Sequence, residues 1–447
     1  MSQPRLGMNP VPQRKHTRSE EELQTDLSSN SQYMNLPTQG QLLLPLLETI
    51  HEAGGQAKPN EVYDALATKI ELPQWLRQLR ALAGKAGEIN VWERRVRNTR
   101  QSAVEEGFIE NSPERWRRNL WELTVAGNEG LRNCKPGIII TVFTTDLGTA
   151  LLAEAETAVQ FIQDSSINLI LTSPPYPLIT QKAYGNKDPR AYVDWLTELA
   201  ASWKQKLADT GSLVINLADV FNPGSPSVSL YQERLLINLC DNLGYSLAQK
   251  FYWENPSKLP SPAEWVCVRR IRVTPSIEQI YWLTKNPAIA TANNRHILRP
   301  YSQSMLHRLA QGGEPTEQAR PSGFTFKQNA FSTNNGGSIP HNLLIASNTE
   351  SNDEYMRHCR HNNLPIHPAR FPTALPDIMI RFLTEADHIV WDPFAGSGVT
   401  AQVAEHLGRR WIINERSLTY LQGAALRFSR NPSLKKLLRP ARCIGSP

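Results

Sequence analysis

The spacing of hydrophobic positions changes twice along the chain and divides it into three parts. Residues 1–36 have almost no periodic apolar positions and are rich in Pro, Ser, Gln and Asn, so we expect a disordered tail. Residues 37–130 carry apolar residues at helical spacing. Residues 136–447 alternate short apolar runs with amphipathic stretches, which predicts an α/β domain with a doubly wound, mostly parallel sheet.

The second part is predicted to contain three helices followed by a basic β-hairpin. The first helix is expected around residues 42–50, with Pro45 in its first turn, and the third over about 91–106. The hairpin ends in a strand-like stretch at 120–123. This order of elements is that of a winged helix, a variant of the DNA-binding helix-turn-helix. The second helix follows Pro59, and its apolar face is expected to hold Val62, Ala65, Leu66 and Ile70.

The third helix and the hairpin are rich in arginine. If these side chains share an exposed face, they would bind DNA phosphates, and the alternative is the ordinary solvated face of a domain that packs or dimerises. The stretches 36–38, 44–47, 94–96 and 121–124 also resemble the N-terminal domain of Mrr-type restriction endonucleases. The arginines are Arg94, Arg95, Arg97, Arg100, Arg115, Arg117 and Arg118.

In the third part, runs of apolar residues predict six strands. Between Asn286 and Ile366 this pattern dissolves, and so long a stretch without core positions inside a compact domain is typical of a functional or disordered insertion. The predicted strands are Ile138–Val142, Ile167–Leu171, Ser212–Leu217, Glu278–Leu283, Ile389–Trp391 and Trp411–Ile413.

One strand ends directly before a Ser-Pro-Pro-Tyr motif, formed by Ser173, Pro174, Pro175 and Tyr176. Open α/β sheets bind their ligands at such strand ends. The prolines stiffen the backbone and remove N–H donors, so the Pro174 carbonyl and the Ser173 hydroxyl could accept both hydrogens of an exocyclic amine. That would free the nitrogen lone pair for attack on a methyl sulfonium. Tyr176 offers a face for stacking a base taken out of the helix.

A second strand leads through Asp392 and Phe394 into a glycine loop, Gly396 and Gly398, that opens a helix. Such a loop lets the backbone approach a nucleotide-like ligand closely. Glu415 follows Gly396 by 19 residues, about the spacing of an acid that binds ribose hydroxyls. The same spacing also fits the dinucleotide fingerprint of a dehydrogenase. Asp-Pro-Phe before the glycines and Ser-Pro-Pro-Tyr upstream favour a methyltransferase.

Together the two motifs resemble the signature of the N4-cytosine/N6-adenine DNA methyltransferase family over roughly residues 136–430. The resemblance implies a Rossmann-like fold with S-adenosylmethionine as cofactor. It also matches the permuted subgroup, in which the catalytic motif comes first and the target recognition region, here about 286–366, lies between the motifs. It implies that the cofactor is held by Asp392, Phe394, Gly396, Gly398 and Glu415, and the target base by Ser173, Pro174, Pro175 and Tyr176.

Within that family, serine before Pro-Pro-Tyr is associated with cytosine N4. Ser173 therefore favours a site-specific cytosine-N4 methyltransferase acting on double-stranded DNA, related to restriction-modification, with adenine N6 as the alternative. Two further hypotheses are a DNA-binding protein whose catalytic site has decayed and a dinucleotide-dependent oxidoreductase. The oligomeric state, monomer or homodimer, stays open.

Composition and charge narrow these hypotheses only slightly. The net charge of +6 permits a nucleic-acid partner without requiring one. The five cysteines include no C-x-x-C pair, which argues against a disulfide framework. None of them follows a proline, which argues against a cytosine-C5 nucleophile. We expect Cys267 in the core. No zinc spacing fits His358, Cys359, His361 and His367, which we interpret as solvated loop residues rather than metal ligands.

The chain shows no targeting signal. No apolar run approaches the ~20 residues of a membrane span, and the N-terminus lacks the apolar segment of a secretory signal. We therefore expect a cytoplasmic, nucleoid-associated protein with no membrane partner.

Overall fold

A computed structural model describes residues 36–82, 87–112, 114, 118–130, 133–177, 188–314, 316–319, 321–348, 353–370 and 372–441. All but the last residue of the predicted tail lies outside the described residues, as do Arg115 and Arg117. Within the described ranges, no helix is both long enough and apolar enough to cross a membrane.

The N-terminal part is mainly helical and has a core of its own. Its helices include the three predicted ones, and Ile109 pairs with Leu123 as the predicted hairpin requires. Whether the arrangement is a winged helix stays a prediction. The helices are α1 (Gln39–Glu52), α2 (Pro59–Lys69), α3 (Gln74–Arg77), α4 (Val91–Glu105) and α5 (Val125–Gly130), and the strands are β1 (Gln56–Ala57), β2 (Arg80–Leu82), β3 (Glu88–Asn90) and β4 (Trp121–Glu122).

Two details of these helices differ from the sequence-based expectation. α1 begins at Gln39, because the Thr38 hydroxyl accepts a hydrogen bond from the Gln41 amide, so Pro45 lies in the second turn rather than the first. On α2, Ala65 is exposed and Tyr63 is buried instead.

The remainder of the chain forms the α/β part. Its strands are β5 (Ile140–Thr144), β6 (Gly148–Leu152), β7 (Ile167–Thr172), β8 (Leu207–Ala218), β9 (Ser246–Glu254), β10 (Ile277–Thr284), β11 (Gln318–Ala319), β12 (Thr325–Phe326), β13 (Leu343–Ile345), β14 (Ile389–Asp392), β15 (Arg410–Glu415) and β16 (Lys435–Pro440). Its α-helices are α6 (Ala155–Ala158), α7 (Pro189–Lys206), α8 (Tyr231–Ile237), α9 (Gln303–Ala310), α10 (Glu354–His361), α11 (Ala374–Leu383), α12 (Val399–His406) and α13 (Leu418–Ala425). Shorter 3₁₀ or π turns occupy Val159–Phe161, Asn238–Asn242, Glu264–Val268, Asn294–Ile297 and Leu426–Phe428.

A ten-stranded sheet organises the α/β part, in the order β13-β9-β10-β8-β7-β14-β15-β6-β5-β16. Its centre, from β8 to β6, is parallel, antiparallel pairings add β10 and β9 on one side and β5 and β16 on the other, and β13 pairs parallel with β9 at the edge. Apolar side chains on the two faces of the sheet form two separate cores. The predicted fold class, a Rossmann-like α/β sheet preceded by a helical domain, is confirmed.

All six predicted strands are present in the ten-stranded sheet, but four others of that sheet were missed, as were β11 and β12, which pair with each other. β6 is difficult to identify because it opens with Gly148, and glycine is uncommon in strands. The structure requires glycine there, since a Cβ would lie 2.0 Å from the Trp411 ring. β9 buries only Phe251 and Trp253 of its nine residues, and β13 and β16 lie at the two sheet edges. Edge strands bury fewer side chains, so their apolar pattern is weaker.

The stretch 286–366 is not a free insertion. β13 joins the sheet beside β9, and α10 packs against α13. α9, by contrast, buries none of its eight residues. The N-terminal part packs through α1 and α2 on β16, at the opposite edge of the sheet from β13.

Candidate active site

The sheet brings the two sequence motifs together. β7 and β14 are parallel neighbours, with Leu169 beside Val390, so the residues that follow them meet at one edge. A cavity of about 600 Å³ opens there. It is lined by eight of the nine predicted site residues, namely Ser173, Pro174, Pro175, Tyr176, Asp392, Phe394, Gly396 and Glu415.

The two glycines of the loop serve different purposes. Gly396 has a φ of +51°, and a Cβ there would lie 2.8 Å from the His367 ring, so glycine keeps the loop against that wall of the cavity. Gly398 has a φ of +74° and precedes α12, but it does not line the cavity. A Cβ on Gly398 would lie 2.8 Å from the Cβ of Ala424, so this glycine permits close packing between α12 and α13.

Glu415 is held at the edge of the cavity by main-chain donors. Its Oε2 accepts from the Gly396 amide at 3.1 Å and its Oε1 from the Ser417 amide at 3.0 Å. Burial raises the pKa of this carboxyl. A carboxylate has about four acceptor positions, so these amides leave room for a hydroxyl group of a ligand.

Asp392 connects the two motifs. Its Oδ1 accepts from the Thr172 hydroxyl at 2.8 Å and the Phe394 amide at 3.1 Å, and its Oδ2 accepts from the Thr400 hydroxyl at 2.7 Å. Burial raises the pKa of Asp392 to about 6, although these bonds oppose the shift. Since both oxygens already have protein donors, Asp392 ties the end of β7 to α12 and positions the loop.

At the other end of the cavity, side chains from β8, β10, the segment after β7 and the connection between β9 and β10 form one hydrogen-bonded network. The Tyr176 hydroxyl lies 2.9 Å from the Ser173 Oγ and 2.9 Å from Glu278 Oε2. Asn216 Nδ2 donates to both the Tyr176 hydroxyl, at 2.9 Å, and Glu278 Oε2, at 2.8 Å. Lys258 Nζ donates to the other oxygen of Glu278 at 3.0 Å.

The direction of these bonds follows from counting hydrogens. Burial and the Glu278 charge raise the pKa of Tyr176 well above its usual range, so its hydroxyl keeps its proton and donates it to the carboxylate. The Tyr176 oxygen can then only accept from Ser173. The Ser173 hydrogen is therefore engaged, and its lone pairs are left to accept.

Sequence reasoning missed Asn216, Lys258 and Glu278 as site residues. Asn216 and Glu278 are polar side chains buried on strands, and a polar residue inside an apolar strand was the available signal. Aromatic residues form further walls, and Trp195 lies against Phe394 with ring centroids 5.7 Å apart.

The interpretation of the His and Cys cluster as solvated loop residues is wrong in two respects. Cys359 is fully buried on α10, and His367 lines the cavity beside Gly396. Cys267, expected in the core, is exposed. Within the part of the chain that the structure describes, no three His, Cys, Asp or Glu side chains are placed to hold a metal ion.

Comparison with known proteins finds matches to both parts of the chain. A family model described as DNA methylase matches residues 167–426, and one described as the Mrr N-terminal domain matches residues 40–133. The Type II methyltransferase M.PvuII of Proteus hauseri is 40% identical over 290 residues, or 65% of this chain and 86% of the relative. The Type II methyltransferase M.BglII of Bacillus subtilis is 24% identical over 56% of this chain and 59% of its own. A solved structure of PvuII DNA methyltransferase (cytosine-N4-specific) superimposes with a TM-score of 0.52 and 35% identity, covering 65% of this chain and 89% of that one.

Proposed function

The chain belongs to the DNA methylase family, and we propose that it transfers a methyl group from S-adenosylmethionine to the exocyclic N4 amine of cytosine in double-stranded DNA. The observation that carries the proposal is the cavity that joins the Ser173 network to the Gly396 loop. The similarity to a Type II, cytosine-N4-specific enzyme supports cytosine as the base and a restriction-modification role.

The cofactor end of the cavity fits S-adenosylmethionine. We assign the binding of the ribose hydroxyls to Glu415, whose carboxylate is already fixed by two amides. At Gly396, the missing side chain lets the ligand approach the main chain closely. Phe394 forms an apolar wall, while Asp392 and Gly398 hold the loop in shape. When bound, the cofactor supplies an electrophilic methyl group on a positively charged sulfur.

The base end activates the amine. The N4 lone pair is delocalised into the cytosine ring, so the amine is a poor nucleophile until hydrogen bonds draw its hydrogens away. Ser173 accepts one of these hydrogens because its own proton is engaged by Tyr176, and the Pro174 carbonyl accepts the other. The nitrogen forms a bond to the methyl carbon as the bond from that carbon to sulfur breaks, which leaves S-adenosylhomocysteine, and the methylated nitrogen releases one proton to water. The Tyr176 ring holds the flipped base by stacking.

DNA binding outside the cavity is assigned to two regions. We place target recognition in about 286–366, where α9 lies on the surface, and phosphate contacts in the N-terminal domain of residues 37–130. Arg97 is exposed, whereas Arg95 and Arg100 are half-buried, and burial lowers their pKa. Deleting residues 1–130 should weaken binding to cognate and random duplexes equally and flatten its salt dependence. A deletion that changes only self-association would contradict this role.

Sequencing tests the proposed function directly. Expressed in a bacterial host without DNA modification, the protein should place N4-methylcytosine at one short recognition sequence throughout the genome. Methylation at adenine N6 would establish the alternative base. An unmodified genome, with purified protein that binds NAD but not S-adenosylmethionine, would support the oxidoreductase hypothesis instead.

A further inference from the structure

The connection between β9 and β10, residues 255–276, begins and ends at the base end of the cavity. Trp253 of β9 and Glu278 of β10 line the cavity, and Lys258 within the connection donates to Glu278. Of residues 259–273, all but Pro262, Trp265 and Val266 are exposed. The connection therefore projects into solvent beside the place proposed for the target base.

We call residues 268–273, the last six of this exposed stretch, the tip, and they combine aliphatic and cationic side chains. Val268, Ile271 and Val273 are 70%, 45% and 86% exposed. They alternate with three exposed arginines, Arg269, Arg270 and Arg272. Exposed aliphatic side chains grouped in this way mark a binding surface, and the arginines require an anionic partner. Duplex DNA offers both apolar base faces and phosphates.

The tip is held in one shape before any partner binds. The Ile271 amide donates to the Trp265 carbonyl at 2.9 Å, and the Arg269 guanidinium lies 5.2 Å from the Trp265 ring centroid. Arg272 Nε donates to the Pro226 carbonyl at 3.0 Å. Arg270 has a φ of +54°, a conformation that a non-glycine residue keeps only when its surroundings hold it there. A surface ordered in advance loses less entropy on binding.

We propose that the tip inserts its aliphatic side chains into the base stack of duplex DNA beside the target cytosine, while its arginines contact the flanking phosphates. The inference rests on the proposed function, because chemistry on a base in a duplex requires that base to leave the stack. Its departure exposes apolar faces of the neighbouring bases. Aliphatic wedges next to arginines hold such opened steps in other DNA-binding proteins.

The test uses the full chain and the recognition sequence mapped by sequencing. In the variant Val268→Thr/Val273→Thr, hydroxyls replace two methyl groups at exposed positions with little change of shape. Its single-turnover methylation rate should fall at least about tenfold on a matched duplex. On a duplex with a mismatch at the target cytosine, where the base already leaves the stack easily, the loss should be below about threefold. The control is Ile237→Thr, at an aliphatic side chain on α8 that is 56% exposed and lies outside both regions assigned to DNA binding, and it should leave both rates unchanged.

A second variant tests the arginines separately. Arg270→Gln should reduce the slope of log Kd against log salt concentration by about 0.9, the value for one phosphate contact. An unchanged slope would overturn the phosphate contact.

The remaining outcomes separate the inference from the proposed function. Suppose that the wild type methylates its site. If the double variant then has the wild-type rate on both duplexes, or its rate falls equally on both, the proposed insertion of the tip is wrong and the proposed function stands. A double variant that changes only the sedimentation of the protein would place a second copy on the tip and overturn the inference. A wild type that methylates neither duplex would overturn both.

Discussion

The two ends of the cavity are held in place by different parts of the protein. At the cofactor end the main chain sets the geometry, through the left-handed conformations of Gly396 and Gly398 and the two amides that hold Glu415. At the base end, side chains from β8, β10 and the segment after β7 set it, through the network from Ser173 to Glu278. A main-chain scaffold tolerates no added atoms, whereas a side-chain network can be changed one hydrogen bond at a time. Substitutions at the cofactor end should therefore abolish cofactor binding, whereas substitutions at the base end should lower the reaction rate by amounts that depend on the hydrogen bond removed.

The largest effect is expected at Gly398. Valine there would meet the Cβ of Ala424 and would adopt an unfavourable φ, so strain and overpacking together should lower S-adenosylmethionine affinity at least about 1,000-fold. Isothermal titration calorimetry measures this loss. As a matched control, Gly398→Ala/Ala424→Gly should bind more tightly than Gly398→Ala alone, because the contact is relieved. If Gly398→Val bound S-adenosylmethionine with wild-type affinity, the claim that the main chain sets the geometry of the cofactor end would be wrong.

Asp392 joins the two ends through its hydrogen bonds, and its titration should make its contribution to the stability of the fold depend on pH. Burial raises its pKa from 3.8 to about 6, so the folded chain holds this proton more tightly than the unfolded chain. The contribution of Asp392 to stability should therefore fall as the pH rises from about 4 to 6, and then stay low. A pKa difference of about 2 corresponds to about 3 kcal/mol.

Asp392→Asn provides the comparison, because it carries no titrating group. Between pH 4 and 7, the difference in unfolding free energy should shift in favour of the variant by up to about 3 kcal/mol. Urea denaturation at each pH measures it. A difference that does not change with pH would contradict the raised pKa.

The next effect is expected at Ser173, where one side-chain acceptor is removed. Ser173→Ala should lower the single-turnover rate of methyl transfer about 100-fold, the size of losing one preorganised polar group in an active site. Affinities for DNA and S-adenosylmethionine should stay within about threefold, because the bond matters most as charge develops on nitrogen. If DNA affinity fell as much as the rate, Ser173 would bind the base rather than activate it.

The smallest effect on the reaction rate is expected for Glu278→Gln. This substitution is the most specific test of the base end, because it changes only the direction of hydrogen bonds. Glu278→Gln places an amide where a carboxylate fixed the Tyr176 proton, so Ser173 is no longer held as an acceptor and the rate should fall about tenfold. Tyr176→Phe removes the hydroxyl that transmits this direction. In that background Glu278→Gln should have almost no further effect. Equal effects of Glu278→Gln in both backgrounds would show that Glu278 acts on the fold instead.

The same difference explains what could be predicted from the sequence. The glycine loop and Ser173–Tyr176 are contiguous, and each follows an apolar strand, so both segments could be identified from the sequence. Asn216 and Glu278 lie 40 and 102 residues from Tyr176 along the chain, and only the pairing of β8 with β10 brings them there. Spacing cannot reveal such a contact.

Local pattern left one residue open and misled at another. The assignment of Gly398 to the cofactor stays a prediction, because the structure places the Ala424 Cβ against this glycine and no sequence feature separates packing from ligand contact. Cys267 lies between two valines and was expected in the core, yet it is exposed directly before the tip, and Val268, the first residue of the tip, is exposed as well. Aliphatic residues that serve an interface have the same local pattern as those of a core.

The most direct test of the central claim is the chemical identity of the methylated base. Purified protein is incubated with DNA containing the mapped site and S-adenosylmethionine carrying an isotopically labelled methyl group, and the DNA is then digested to nucleosides for mass spectrometry. The label should appear in N4-methyldeoxycytidine, and Ser173→Ala should remove nearly all of it in a single turnover. Label in 5-methyldeoxycytidine, or in no nucleoside although the protein binds both substrates, would contradict the account.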